Sequence, residues 1–403
     1  MTRRLPGHEP EDIGDIGDIG DIGDIGDIGD IGDNVDTNTG VAMAEAVLLA
    51  GTKKGLWVGR SDASRQDWEW SEPHLLMQGI YGTCIDIRGD QPRMFVGGTS
   101  EHWGPGVYRS DDLGATWTES QGAAVRFPED LGSSVERVWQ IQPGGPDEPD
   151  VLYAGTQPSA LFRSEDGGRS FSLVRSLWDH PHREQWGAGF GGQAIHSVLP
   201  HPTDPARVTV AMSTGGVYRT VDRGETWNPA NRGIKAYFFP DPWPEFGQCV
   251  HKIAAHPSAP ERMFAQNHHG VYRSDDAGDQ WVSIADGLPA DFGFPIVVHP
   301  QRPETVFVFP LVADGERIPP KGQARVWRSD DAGRTWQPSA SGLPDGFFAA
   351  VMRDAMSADN GEQMGLYLGA RDGSIFVSTD DGENWTQIAA HLPDVLSVRA
   401  AVI

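Results

Sequence analysis

Two cysteines, Cys84 and Cys249, in a chain of 403 residues are too few for a disulfide framework. Both are expected to remain thiols, and a reducing cytoplasm is the compartment this points to. Bases are scarce as well: 32 Lys and Arg stand against 57 Asp and Glu, a net charge of −25. No basic stripe survives that balance, so neither nucleic acid nor an anionic membrane is expected as a partner. No apolar run approaches the roughly 18 residues of a membrane-spanning helix. The opening residues, MTRRLPGHEPEDIGDIG, lack the apolar core of a signal peptide.

Turn formers are abundant. The chain carries 50 glycines and 30 prolines, about one residue in five. That density argues against a helical bundle and for many short strands joined by tight turns. Residues 12–32 read Asp-Ile-Gly seven times over. An acid at every third position repels itself and leaves nothing to bury, so residues 1–42 are expected to be a disordered acidic tail. The tail holds a net charge of −9, leaving −16 on residues 43–403, which are expected to form one domain.

That domain repeats itself. Ser110, Asp112, Gly114, Thr116 and Trp117 recur as Ser164, Asp166, Gly168, Ser170 and Phe171, and as Thr220, Asp222, Gly224, Thr226 and Trp227. Ser274, Asp276, Gly278 and Trp281 follow, then Ser329, Asp331, Gly333 and Trp336, then Ser378, Asp380, Gly382 and Trp385. The aspartates step by 54, 56, 54, 55 and 49 residues. The hydroxyl and carboxylate suit a tight turn whose backbone they bond, and the glycine suits a positive φ. Each turn is expected between the third and fourth strands of a four-stranded unit. The first unit, near residues 46–70, shows only three strands, and an orphan strand at 395–403 follows the last turn. The orphan is expected to be the innermost strand of the first unit, closing a ring of seven and removing unpaired edges.

This Ser-x-Asp-x-Gly-x-Thr-Trp pattern resembles the Asp-box, or BNR repeat, of sialidase-like β-propellers, over about residues 45–403. The resemblance implies an all-β, seven-bladed propeller in which the boxes are structural. True sialidases of this kind carry an early Phe-Arg-Ile-Pro signature, which Val125-Arg126-Phe127-Pro128 does not match. Related xyloglucanases use two propellers with facing aspartates, whereas one propeller fits here. A photosystem assembly factor of similar size is a seven-bladed binding protein. The chain looks most like bacterial single-propeller proteins of the glycosyl-hydrolase, BNR-repeat type.

Alignment of the repeats separates residues the fold requires from those it does not. His201, His256 and His299 occupy one repeated turn, each before a proline, and read as structural. Trp103, Trp139, Trp178, Trp186 and Trp243 fall in or beside loops on the face opposite the boxes. His196 and His251 lie at one level of adjacent innermost strands, where the sister repeat has Phe294. The tandem His268 and His269 form the loop above His251, and His102 the equivalent loop of the second blade. Arg137, Arg353 and Asp354 lie at or near innermost strands, where a charge needs a partner or a ligand.

The expected site therefore has His196, His251, Arg353 and Asp354 as catalytic candidates. His102, Trp103, Arg137, Trp139, Trp186 and Trp243 would contact ligand. His196, His251, His268 and His269 would hold a divalent transition metal such as Zn, Fe, Ni or Cu, since converging neutral imidazoles with an open position suit those ions. No His-Glu-x-x-His motif accompanies them, and hydrogen-bonded core histidines account for the same residues. Three readings stand: a hydrolase or lyase acting on a small molecule or glycan, a non-catalytic binder of such a ligand, and a protein-interaction scaffold.

Overall fold

The computed structural model describes residues 44–100, 102, 104–119, 125–187, 189, 192–313 and 315–403. The acidic tail, Trp103 and part of the loop over residues 121–136 lie outside the described residues.

Seven antiparallel four-stranded sheets, one per repeat, make a β-propeller. In blade one, Val395–Val402 is innermost, followed by Glu45–Thr52, Gly55–Asp62 and Glu69–Trp70. Ala46 pairs with Val402 and Ala50 with Val398, so the two ends of the domain close the ring in one sheet, as the orphan strand implied. Innermost strands of blades two to seven are Gly79–Asp86, Arg137–Pro143, Ile195–Pro200, Val250–His256, Phe292–His299 and Met356–Ala358. The outermost strands of blades one to five are only two residues long, a short outer edge that resists pairing with another chain.

The repeated turns follow from their side chains. Ser110 Oγ donates to Asp112 Oδ1 (2.7 Å) and accepts the Gly114 amide (2.8 Å), while Asp112 Oδ1 accepts the Thr116 amide (2.9 Å). Leu113 and Gly114 both take positive φ, 58° and 87°. A Cβ on Gly114 would also meet Val58 at 3.0 Å, so glycine serves both the turn and the contact with the preceding blade.

Blades are stitched by two repeated devices. In blades five and six the turn tryptophan donates to the preceding blade, Trp281 Nε1 to Ala230 O (2.9 Å) and Trp336 Nε1 to Ile284 O (2.7 Å), whereas Trp117 Nε1 donates within its own turn to Gly114 O (3.1 Å). The third-strand arginine donates forward into the next blade's turn: Arg109 to Gly167 O (2.9 Å), Arg219 to Ala277 O (2.6 Å), Arg273 to Ala332 O (2.8 Å). Those arginines are thereby committed to the fold. The three turn histidines share one geometry, with Nδ1 of His201, His256 and His299 accepting the amides of Asp204, Ser258 and Gln301 at 3.0–3.1 Å.

Candidate functional site

A cavity of about 740 Å³ opens at the ring axis, on the face away from the box turns. Every blade contributes to its wall: Leu396 from the closing strand, Tyr81 from blade two, Arg137 and Trp139 from blade three, Ser213 and Thr214 from blade four. Blade five adds Cys249, His251, His268 and His269, blade six Phe294 and Arg317, and blade seven Met352, Arg353 and Arg371. The connection between blades four and five lays Tyr237 and Phe238 across one side, 56 % and 47 % exposed. Amide side chains pin this loop: Asn267 Nδ2 donates to Lys235 O (3.0 Å) and Gln248 Nε2 to Pro244 O (2.7 Å).

The charge of the wall inverts that of the protein. Four arginines line the cavity, and among its described lining residues there is no Asp or Glu. Arg371 is paired with Asp394 (2.7 Å). Arg137 donates to Gln157 Oε1 (3.1 Å), and its guanidinium lies 4.3 Å from the Tyr81 ring and 5.2 Å from Trp139. Arg353 is 7 % exposed, lies 4.8 Å from the Phe294 ring centre and 5.4 Å from Trp139, and has a buried Nε with no hydrogen-bond partner. Burial pulls its guanidinium down to about 10, and it remains charged at neutral pH. Stacking on aromatic faces leaves its donors available to a planar oxyanion.

At the blade-five side, three donor atoms of Cys249, His251 and His268 lie within 4.8 Å of one another, the one such group of three among the described residues. His251 Nδ1 donates to Gly293 O at 2.6 Å, which leaves Nε2 carrying a lone pair. The ring sits 4.9 Å from Phe294 and 5.4 Å from Phe292. Burial first, then the nearby Arg353 charge, hold the imidazole well below its usual range, so it is neutral at pH 7. Burial also pushes the Cys249 thiol up, an effect that Arg353 opposes.

The expected site residues divide on this geometry. Arg137, Trp139, His251, His268, His269 and Arg353 share the cavity wall. His196 does not line it: it is buried against Trp139 (4.9 Å), with Nδ1 3.3 Å from Ser213 Oγ, and stands outside the three-donor group. Asp354 does not line the cavity: it is bonded to Lys252 and lies 3.6 Å from Arg399. Trp186 is core, its Nε1 donating to Tyr218 OH (3.0 Å). Trp243 lies beside Lys235, His102 is exposed, and neither lines the cavity. Trp103 lies outside the described residues.

Cys249 was the ligand-type residue that repeat comparison passed over. The pattern of Gly247-Gln248-Cys249 against Gly192-Gln193-Ala194 contained the signal, since a cysteine replaces alanine two residues before the histidine. Arg317 and Tyr81 carry no sequence signal, because only the ring geometry brings their strands and loops to the axis.

No family model matches the chain. It is similar to a xyloglucanase of Hypocrea jecorina, 26 % identical over 294 residues that cover 64 % of this chain and 32 % of that protein. The chain spans about a fifth to a third of the length of the curated relatives it matches. Among solved structures, the GH74 enzyme of Niastella koreensis superposes with a TM-score of 0.51 at 16 % identity, over 88 % of this chain and 68 % of that one. YCF48 from Cyanidioschyzon merolae superposes with a TM-score of 0.55 at 14 % identity, over 79 % and 88 %. These likenesses establish the β-propeller fold.

Proposed function

We propose that the axial cavity receives an acidic saccharide, a sugar unit bearing a carboxylate, and that the protein acts on it as a lyase. One observation carries the reading: arginines line the cavity in a strongly acidic protein, with no carboxylate among its described lining residues. Arg353 and Arg137 are placed to bind the carboxylate, with the desolvated Arg353 contributing most. Tyr237, Phe238 and Trp139 offer the flat apolar faces on which a sugar ring stacks. Similarity to xyloglucanases supports a carbohydrate ligand.

The same observation weighs against glycoside hydrolysis by a pair of carboxyl groups, which needs two Asp or Glu flanking the scissile bond. Elimination needs different groups. A guanidinium neutralising the sugar carboxylate acidifies the adjacent C–H. His269, lining the cavity 4.9 Å from the Tyr237 ring and outside the three-donor group, is the base that takes this proton. The electron pair forms a C=C bond, the C–O bond at the β-carbon breaks, and the departing sugar oxygen takes the proton back from the imidazolium.

Calorimetry of the full chain against acidic and neutral oligosaccharides tests the binding step. Acidic oligosaccharides should bind, and Arg353→Ala should weaken them by about tenfold or more. Xyloglucan oligosaccharides should not compete. Binding of the neutral glycan alone, with Arg353→Ala silent, overturns the reading. Turnover is read from the ultraviolet absorbance of the conjugated unsaturated sugar that elimination leaves.

A further inference from the structure

We infer that Cys249, His251 and His268 form a mononuclear zinc-type metal site whose fourth position opens on the arginine-lined cavity. The inference goes beyond the saccharide reading and does not depend on it, because metal binding is measured without any sugar.

Three features of the geometry carry it. The first is the donor set. One sulfur and two imidazole nitrogens within 4.8 Å of one another are the ligand types and number of an open tetrahedral site. Bond lengths of about 2.0–2.3 Å place such donors roughly 3.3–3.6 Å apart, so closure takes a shift of about 1 Å. The second is orientation. The Nδ1–H of His251 is committed to Gly293 O at 2.6 Å, which fixes the tautomer and turns the lone pair of Nε2 away from the strand. A metal-bound histidine characteristically has its second nitrogen held in this way. Phe292 and Phe294 hold the ring from two sides, and Phe292 also stands 5.0 Å from His268.

The third is rigidity. The His268 amide donates to Cys249 O at 2.8 Å, tying the loop that carries one ligand to the strand end that carries another. Cys249 is 6 % exposed and His251 2 %, so both are held by the core of the ring and not by a mobile surface. Nothing in the repeat requires these residue types: Ala194 stands where Cys249 does, and Phe294 where His251 does.

The surrounding arginines refine the chemistry. Arg353 and Arg317 repel a bare dication, while the Cys249 thiolate offsets one unit of its charge. A site of this kind takes an anion in its fourth position, so metal and an oxyanion should bind with positive coupling. Thiolate with imidazole selects Zn²⁺ over Mg²⁺ and Ca²⁺, which demand oxygen ligands.

The test uses full-length protein stripped with chelator and titrated with Co²⁺. One equivalent should bind and produce a thiolate-to-metal charge-transfer band in the near ultraviolet. Zn²⁺ should abolish the band stoichiometrically, and Mg²⁺ should not. Cys249→Ser should remove the band, and His251→Ala and His268→Ala should each weaken Co²⁺ by about tenfold or more. Should a variant misfold, alkylation of the wild-type chain decides: Zn²⁺ should protect Cys249 from iodoacetamide. Co²⁺ binding with no thiolate band, or alkylation of Cys249 at an unchanged rate in Zn²⁺, overturns the proposal. The second outcome leaves a thiol–imidazole pair. Loss of saccharide binding in Arg353→Ala with the Co²⁺ band intact separates this site from the saccharide reading.

Discussion

Lys252 of blade five bonds through Nζ to Oδ1 of Asp354 in blade seven, passing blade six, with both side chains buried. The residues immediately before them, His251 and Arg353, line the cavity. The ion pair therefore ties the start of the blade-five inner strand, where Cys249 and His251 lie, to the turn before the blade-seven inner strand, which carries Arg353.

Asp354→Ala should be the more damaging change at this pair, because it strands Lys252 in the core and removes the partner of Arg399. Leaving a buried charge unpaired costs about 3–5 kcal/mol. Lys252→Met should cost less, since Arg399 still faces Asp354 at 3.6 Å. Denaturant unfolding of both variants and of the double mutant measures this, and a double mutant more stable than Asp354→Ala alone is expected.

Trp186→Phe should lower stability by about 1 kcal/mol through loss of the hydrogen bond to Tyr218 OH, which keeps His182 Nδ1 at 3.0 Å as its other partner. Ligand binding should be unchanged, as Trp186 does not line the cavity. Thermal denaturation and calorimetry on the same variant read the two effects apart.

Truncation before Val395 should expose the inner edge of Glu45–Thr52, a strand buried almost throughout. An open edge of that length pairs with other chains. Size-exclusion chromatography should show soluble aggregates or loss of the monodisperse peak.

The box turns should make the fold acid-labile. Asp112 and Asp222 sit at about 2, against an ordinary 3.8, chiefly because the hydroxyls of Thr116 and Thr226 donate to them. A carboxyl group held lower in the folded state than in the unfolded chain contributes its stability above the ordinary value and loses it as pH falls towards about 2. The denaturation midpoint should therefore drop between pH 4 and 2. Thr116→Val should lower the midpoint at pH 7 and shrink that drop, because the stability it removes is the part that acid would otherwise remove. Urea titrations at stepped pH provide the measurement.

Much of this architecture was legible in local pattern. Six turns with the same hydroxyl, carboxylate and glycine dictate the same backbone at a fixed interval, because each bonds only its own neighbours within four residues. Their spacing set the size of a blade, and the strand over residues 395–403 had no other vacancy to fill. The histidines of the turn after each inner strand were separable from the rest for the same reason: their Nδ1 contacts lie two or three residues away.

The site was less legible because it is made across the ring. His196 and His251 hold equivalent places in adjacent blades, yet His196 sits behind Trp139 while His251 turns its free nitrogen towards Cys249 and His268. Both strands carry the same irregular pairing, between Ile195 and Ser197 and between Val250 and Lys252, so the two histidines part because of their neighbours: Trp139 beside one, Phe292, Phe294 and Gly293 O beside the other. Asp354 follows Arg353 directly in sequence, but the two are the central residues of a turn closed by the Ala355 amide on Met352 O, and their side chains part there. One of the two met Lys252 and the other the cavity. The local turn chemistry of the chain determined the propeller, while the meeting of seven strand ends at one axis decided which of its spare histidines, arginines and cysteines would share a site.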